Sequence, residues 1–223
     1  MTTAERKSLD ARWHAYRNLP ALRNHWYWRP GWSPERQFYT WHITFAGQTA
    51  LEQLVSDVQR HLSLPGLDLV PIEGLHLTTQ GVGFTDEVSS DDLAAIIKGV
   101  TEQCAHLRPF DLALGPLDPD AEGVGLLIQP WAPVVDLRSA IRDGIAHVWP
   151  VVPEPADGFR PHVTVAYSGA DVPPNDAIAA IEPLRERDPA IVRIDAVQLI
   201  TLRRASRAYV WETVHTAQLG TPA

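Results

Sequence analysis

Two strand-like stretches with the same polar pattern constrain the fold of this chain more than any other feature. Residues 75–79 read LHLTT and residues 161–165 read PHVTV. Side chains alternate between the two faces of an extended strand, so His76 shares a face with Thr78 and His162 shares a face with Thr164. The residues between them point to the opposite face, into an apolar layer. Each stretch therefore predicts a strand that presents an imidazole and a hydroxyl above a buried floor.

The two stretches occupy equivalent places in an internal repeat. The first copy is a strand, a helix, the motif strand, a helix and a hairpin, at residues 38–46, 49–64, 75–84, 89–106 and 108–129. The second copy shares the strand 124–129 and continues with residues 134–149, 161–168, 173–188 and 191–215. The repeat predicts an α+β fold of two similar lobes with a central cleft. A pseudo-twofold axis between the lobes would bring His76 and His162 face to face.

Three segments divide the chain by their patterning. Residues 1–37 form an aromatic-rich N-terminal extension, residues 38–215 a single bilobal domain, and residues 216–223 a tail expected to be loose. Within the extension, Leu9, Trp13 and Tyr16 form one apolar stripe and predict a helix over residues 4–18. Prolines and glycine interrupt residues 19–37, which predicts an irregular segment.

Composition and charge exclude several classes of protein. The chain has 223 residues and one cysteine, Cys104, so an internal disulfide and a cysteine-rich zinc site are excluded. No apolar run approaches the roughly 18 residues of a membrane span, and the polar first residues lack a signal-peptide core. A cytoplasmic protein is expected, with a monomer favoured and no membrane partner. The formal charge of −8 argues against a grip on long nucleic acid, but not against a small phosphorylated ligand.

A third His-x-Thr, at His42 and Thr44, does not fit the repeat. Counting back equally from each motif histidine places His42 opposite Ile128, so His42 has no counterpart in the second copy. His76 and His162 are therefore the predicted pair. His42 is interpreted either as a strand histidine hydrogen-bonded at a lobe surface or as a residue that contacts the substrate.

Two imidazoles and two hydroxyls around one cleft suit acid–base chemistry on a phosphodiester. Histidine has an unperturbed pKa of about 6.5, so one ring can act as base while the other acts as acid. The hydroxyls of Thr78 and Thr164 would donate to phosphate oxygens. Which histidine is the base stays open. The other histidines form no close metal-ligand spacing, so no metal and no cofactor are expected.

These residues resemble a known family. The chain is similar to the two-histidine phosphoesterase superfamily, in its 2′-5′ RNA ligase-like (LigT-like) branch, which carries two His-hydrophobic-Thr/Ser-hydrophobic motifs one repeat apart. The pair Arg160-Pro161 before His162 also resembles the branch, whereas Thr79 departs from it by replacing a hydrophobic residue. The resemblance spans residues 38–215 and leaves the aromatic extension outside.

The resemblance implies a bilobal, metal-free phosphoesterase. The expected substrates are 2′,3′-cyclic phosphate ends of nucleotides or RNA, or related 2′-5′ or 3′-5′ linkages, with a 2′-phosphate as the product of the cyclic ester. Two alternatives stay open. One is ATP-independent ligation of RNA ends, which is the reverse reaction, and the other is a non-catalytic nucleotide-binding module.

Several accessory residues have two interpretations. Arg160 is predicted to bind the substrate phosphate, with a surface ion pair as the alternative. Tyr167 is expected in the core unless its strand bulges, and Gln80 is expected to contact a ligand or to lie at a polar edge. Three arginines could steer RNA phosphates, although a solvated turn is the commoner explanation: Arg203, Arg204 and Arg207. Four aromatic residues could stack on a base, although such side chains are more often packing anchors: Trp26, Trp28, Trp32 and Phe84.

Overall fold

Two antiparallel sheets and five α-helices make up the fold, in a computed structural model that describes residues 3–220. The helices are α1 (Thr3–Arg17), α2 (Thr49–Leu62), α3 (Ser90–Cys104), α4 (Ala132–Ala146) and α5 (Asn175–Ile181). The strands are β1 (Phe38–Thr44), β2 (Leu67–Leu69), β3 (His76–Phe84), β4 (Phe110–Asp120), β5 (Gly123–Gln129), β6 (His162–Ser168), β7 (Ala190–Ile194), β8 (Ala196–Ala205) and β9 (Ala208–Gln218). Short 3-10 turns lie at Ile72–Gly74 and Glu182–Leu184.

The two sheets have matching strand orders. The first sheet is β3-β1-β8-β9, and the second is β2-β6-β5-β4-β7. If β2 is left out, each strand of the second sheet has a counterpart in the first sheet. Strand β6 takes the place of β3, and β5 takes the place of β1. The α+β fold of two lobes is confirmed, and the orders are consistent with the pseudo-twofold axis. The motif strands β3 and β6 lie against each other where the sheets meet.

The predicted composition of each lobe is wrong in two places. The hairpin of β4 and β5 belongs to the second sheet, because β5 pairs with β4 on one side and with β6 on the other. The final segment is not one hairpin, because the chain changes sheets between Ile194 and Ala196. Strand β7 pairs with β4 in the second sheet, whereas β8 and β9 complete the first. Each lobe is therefore built from both halves of the chain.

Two helices also pack on the sheet opposite to the one that contains the preceding strand. Helix α2 follows β1 of the first sheet but packs against β6 and β7 of the second, and α4 follows β5 of the second sheet but packs against β3. Helices α3 and α4 cross where Gly99 meets Gly144. A Cβ on Gly144 would lie 2.5 Å from the backbone nitrogen of Val100, so the two helices can approach this closely only with glycine at the crossing.

Both motif strands bulge at the fourth position of the motif. Successive residues of β1 pair with Gln80 and Thr78, so Thr79 is the extra residue in β3. The pairing of β6 with β5 skips Val165 in the same way. The hydroxyl of Thr79 donates to the carbonyl of Trp41 at 2.7 Å. This bond accounts for a polar residue at a motif position where the resemblance expects a hydrophobic one, and each bulge changes which later side chains face the cleft.

The first helix packs on the second sheet, and the last strand belongs to the first sheet. Helix α1 packs on β4 through the predicted stripe of Leu9, Trp13 and Tyr16, all of which are buried. Strand β9 continues to Gln218 and Leu219 is buried, so the first residues of the predicted loose tail are part of the sheet. Residues 221–223 lie outside the described residues.

Candidate active site

A cavity of about 450 Å³ opens between the two sheets. All five residues predicted as catalytic or substrate-binding line it: His76, Thr78, Arg160, His162 and Thr164. The bilobal fold thus brings together two motifs that are distant in sequence. The roles of these residues stay predictions.

The two motif imidazoles are anchored in the same way. Nδ1 of His76 lies 2.8 Å from the carbonyl oxygen of Gly74, and Nδ1 of His162 lies 3.0 Å from the carbonyl oxygen of Arg160. A carbonyl oxygen only accepts hydrogen bonds, so each Nδ1 carries the proton and donates it. Nε2 is then the free nitrogen of each ring, available to take up or deliver a proton at the cavity.

The two rings differ in exposure. His162 is exposed at the cavity rim, whereas His76 is half-buried on the cavity floor. Burial lowers the pKa of His76 to about 4, helped by the nearby His162 and opposed by the bond to Gly74. His76 is therefore neutral near pH 7, with a lone pair on Nε2.

His42 lies beneath His76 and not at a lobe surface, so that part of its first interpretation is wrong. Its ring is fully buried and stacks on the His76 ring with a centroid separation of 4.6 Å and an interplanar angle of 4°. Its Nε2 is 3.1 Å from Oγ1 of Thr78. His42 is also one of the residues that line the cavity.

Tyr167 and Gln80 lie where the bulges direct them. The bulge at Val165 turns Tyr167 to the face of Thr164, and Tyr167 lines the cavity, as the alternative of a bulged strand predicts. The bulge at Thr79 instead turns Gln80 to the face opposite Thr78. That side chain is buried away from the cavity, donating to the carbonyl of Pro153 at 2.6 Å, so the prediction of a ligand contact is not met. Strand alternation alone gives the other face for each residue, because it does not include the bulges.

Arg160 makes the ion pair of its alternative interpretation and also lies at the cavity, while its binding of a phosphate stays a prediction. It lines the cavity and also donates to Oδ2 of Asp118 at 2.7 Å. Asp118 is 3% exposed and receives a second arginine, because Nε of Arg12 lies 2.9 Å from Oδ1. Two guanidinium groups therefore share one buried carboxylate. The sequence prediction missed Asp118, which lies within β4 of the predicted hairpin.

The N-terminal extension supplies one wall of the cavity. His25, Arg29 and Trp32 line it, and the first two bond Glu122 of the β4–β5 turn at 3.2 and 2.9 Å. The ring of His25 is buried and stacks on Tyr167 at 4.1 Å. Burial, with the charge of Arg29, lowers the pKa of His25 to about 4. A single histidine in an irregular segment gave no signal of this placement.

Arg204 holds the extension in place, so the prediction of a solvated turn is wrong for this residue. Its guanidinium is buried and donates to the carbonyls of Tyr27 at 2.8 Å and His25 at 3.1 Å. It also lies over the rings of Trp26 and Trp28, which is a cation–π arrangement. Arg203 is exposed, and Arg207 pairs with Asp68 at 3.0 Å.

Aromatic side chains line one part of the cavity. Trp32 and Phe38 line it and pack on each other at 5.6 Å. Phe84 packs edge-on against both rings, beneath the guanidinium of Arg36, and acts as a support. The polar groups of the two motifs and an aromatic wall thus share one cavity.

A loop before β6 joins the two motif strands. Arg138 is buried and donates to three carbonyls, those of Thr79, Pro155 and Ala156, at 2.7–2.9 Å. Glu154 of this loop lines the cavity and accepts a bond from the Gly81 amide at 3.2 Å. A Cβ on Gly81 would lie 2.5 Å from the Glu154 carboxylate, so any larger residue there would displace that side chain.

Two kinds of feature are absent from the part of the chain that the structure describes. Its histidine, cysteine, aspartate and glutamate side chains form no group of three or more arranged to hold a metal ion. None of the helices in residues 3–220 is long and apolar enough to cross a membrane.

Comparison with known proteins gives a family and a fold. A family model described as the 2'-5' RNA ligase superfamily matches residues 60–205. No curated protein matches the chain significantly. The matched range includes both motifs and excludes the extension that forms one cavity wall.

Solved structures share the fold at low identity. E. coli LigT complexed with 3'-AMP is 18% identical with a TM-score of 0.63, covering 83% of this chain and 99% of its own. TT0787 of Thermus thermophilus is 17% identical with a TM-score of 0.62, covering 82% and 97%. ATU0111 from Agrobacterium tumefaciens, described as a conserved protein of unknown function, is 17% identical with a TM-score of 0.53, covering 96% and 98%.

Proposed function

The chain belongs to the 2'-5' RNA ligase superfamily, and on that premise we propose that it is a metal-independent two-histidine phosphoesterase. Its proposed reaction is hydrolysis of the 2′,3′-cyclic phosphate at the end of a nucleotide or short RNA. The observation that carries the proposal is the pair of anchored imidazoles. Each donates Nδ1–H to a backbone carbonyl and keeps Nε2 free, on the lining of one cavity.

We assign the role of base to His76. A base must be neutral to accept a proton from water, and burial keeps the pKa of His76 at about 4. His162 is the proposed acid, which protonates the leaving ribose oxygen from the exposed rim. Opening the ring breaks one P–O bond and forms another with the water oxygen, while one proton enters Nε2 of His76 and one leaves Nε2 of His162. With the 3′ oxygen as the leaving group, the product is a 2′-phosphate.

The hydroxyls and Arg160 would hold the phosphate in line with the attacking water. Thr78 and Thr164 are neutral donors, so they can bond phosphate oxygens without the repulsion that a carboxylate would add. The guanidinium of Arg160 lines the same cavity, and its charge is only partly neutralised because Asp118 is shared with Arg12. These groups would stabilise the charge that grows on the phosphate oxygens.

The cavity favours a nucleotide or a short end over long RNA. Structures of E. coli LigT complexed with ATP, NADP+ and 3'-AMP show that this fold can hold nucleotides in that protein. Here Trp32 and Phe38 offer a face for a base, and base–aromatic stacking contributes about 1–3 kcal/mol. A net charge of −8 disfavours a long phosphate backbone.

A substrate panel tests the proposal. The protein is incubated in EDTA with 2′,3′-cyclic nucleotides, 2′-5′ oligonucleotides and cyclic dinucleotides, and the products are identified by chromatography and ³¹P NMR. The expected result is a 2′-phosphate from the cyclic nucleotides, at a rate that chelation does not change. Loss of activity in EDTA, or the absence of turnover on every substrate, would contradict the proposal.

The same panel separates the two alternatives. Joining of a 2′,3′-cyclic phosphate end to a 5′-hydroxyl end without ATP would identify ligation as the reaction. Binding of the cyclic nucleotide without its consumption would identify a non-catalytic nucleotide-binding module. In that case His76→Ala and His162→Ala would weaken binding only modestly.

A further inference from the structure

One buried histidine is not used by the proposed mechanism. His42 lies in the middle of β1, fully buried, with its ring parallel to the ring of His76. Strand pairing places His42 opposite Thr78. In the second sheet the residue opposite Thr164 is Gly125, which has no side chain. The motif threonines therefore differ, because only Thr78 has a histidine behind it.

The hydrogen bonding of the His42 ring is incomplete. Nε2 lies 3.1 Å from Oγ1 of Thr78, while Nδ1 is buried with no hydrogen-bond partner among the described residues. A neutral imidazole carries its proton on one nitrogen only. If the proton were on Nδ1, the ring would bury an N–H donor with no acceptor. If it is on Nε2, Nδ1 is a bare lone pair.

The two tautomers differ in cost and in consequence. Orphaned buried N–H groups are rarer in proteins than acceptors that lack a donor, so the tautomer protonated at Nε2 is favoured. Burial lowers the pKa of His42 well below its usual value, which keeps the ring neutral. In this tautomer His42 donates to the oxygen of Thr78, and the hydroxyl proton of Thr78 has no acceptor among residues 3–220.

We propose that His42 is a positioning residue that sets the direction of the Thr78 hydroxyl, donating Nε2–H to Oγ1 so that the Thr78 proton points into the cavity. Thr78 is exposed there, beside His76. The opposite tautomer would accept the Thr78 proton and leave only a lone pair toward a ligand. The hydroxyl is thus prepared as a donor to an anionic oxygen before any ligand arrives. Its use on a phosphate rests on the proposed function.

The tautomer can be measured without a substrate. Long-range ¹H–¹⁵N correlation spectra of histidine-labelled protein distinguish the two neutral forms, and the His42 signals are assigned by their loss in His42→Phe. We expect His42 to be protonated at Nε2 at pH 7. Protonation at Nδ1 would overturn the inference, even if the enzyme hydrolyses cyclic phosphates. Conversely, a protein that turns over no cyclic phosphate would contradict the proposed function and leave this measurement decisive.

A double-mutant cycle tests whether His42 acts through Thr78. His42→Phe keeps an aromatic ring against His76 but removes the donor, His42→Gln keeps an N–H at a similar reach, and Thr78→Val removes the hydroxyl. We expect His42→Phe to lower kcat about tenfold or more, by analogy with the loss of one donor to a developing oxyanion. His42→Gln should recover most of that loss.

The decisive comparison is His42→Phe in the Thr78→Val background. If His42 acts through the hydroxyl, the second substitution should change kcat by less than about twofold, because coupled residues are not additive. An equal loss in both backgrounds would show a purely structural role and overturn the inference. Thermal unfolding midpoints identify any variant that fails to fold, and the spectra of the wild type still decide the tautomer.

Discussion

The two motif histidines depend on bonds within their own chain segments. Each ring bonds the carbonyl two residues earlier, so the tautomer is set as soon as the strand begins. The histidine side chains are therefore oriented without help from the other lobe. The packing of the two lobes makes the two rings differ in exposure, because His76 lies half-buried on the cavity floor and His162 is exposed at the rim.

That difference gives a prediction for the pH dependence of the rate. Burial lowers the pKa of His76 to about 4, so the base stays neutral well below pH 6.5. We expect kcat/KM for a 2′,3′-cyclic nucleotide to fall on the acid side only as the pH approaches that value. The measurement is a pH–rate profile in a constant-ionic-strength buffer. An acid limb centred at or above pH 6.5 would mean that His76 is not the base.

Two arginines on one carboxylate provide a matched pair of variants. Arg160→Met should raise KM about tenfold or more, since a hydrogen bond to a charged group contributes about 1.5–3 kcal/mol. Arg12→Met removes the other partner of Asp118, from a residue that is not among those lining the cavity. It should raise KM less than Arg160→Met does, because Arg160 stays at the cavity but then balances Asp118 alone. Equal effects of the two substitutions would mean that Arg160 only neutralises Asp118.

At the scale of elements, the periodicity of the sequence predicted most of the helices and strands. Helix α3 begins at Ser90, one residue after the predicted start, and the Ser89 hydroxyl caps it by accepting from the amide of Asp92 at 3.1 Å. The motif strands begin at their histidines as the alternating pattern predicts. The bulges at Thr79 and Val165 could not be predicted, because they depend on pairing with another strand. Strand alternation therefore assigned His76 and Thr78 to the cleft correctly, but gave the wrong face for Gln80 and, without a bulge, for Tyr167.

The crossing of α3 and α4 depends on glycine. In an exposed helix, Gly→Ala stabilises by about 1 kcal/mol. Gly144→Ala should instead destabilise the protein by about 1–3 kcal/mol, because the new methyl group meets the backbone of Val100. Urea denaturation measures the change, with Ser139→Ala on an exposed face of α4 as the control, expected within about 0.5 kcal/mol of wild type. A Gly144→Ala protein as stable as wild type would contradict the close crossing.

At the scale of the whole molecule, lobe membership was the least predictable feature. The repeat matched β1 with β5 and β3 with β6 correctly, but a repeat does not state which copy each hairpin joins. Only long-range pairing, such as β1 with β8, decides that. The same holds for the cavity wall that His25, Arg29 and Trp32 supply, since an irregular segment has no period from which its docking site can be predicted.

Buried neutral histidines should make the folded state sensitive to acid. His25 and His76 have pKa values of about 4 in the folded protein and would return to about 6.5 on unfolding. Between these values the unfolded chain binds protons that the folded protein does not. The free energy of unfolding should therefore fall as the pH decreases from 6.5 to 4, by up to about 1.4 kcal/mol per pH unit for each histidine.

Urea denaturation at several pH values measures this slope. His25→Phe removes one of the titrating groups, so its slope between pH 6.5 and 4 should be shallower than that of wild type, whatever its stability at pH 7. A wild-type stability that is constant over this range would show that these rings are protonated in the folded state.

The most direct test of the two-histidine site is kcat/KM for a 2′,3′-cyclic nucleotide in wild type, His76→Ala, His162→Ala and the double variant. Proton transfer by each ring contributes about 10²–10⁴-fold, and two groups that act in one step are strongly non-additive. We predict that each single variant loses at least about 10²-fold with its fold intact, and that the double variant loses little more. A single variant that keeps a rate near wild type would contradict the account.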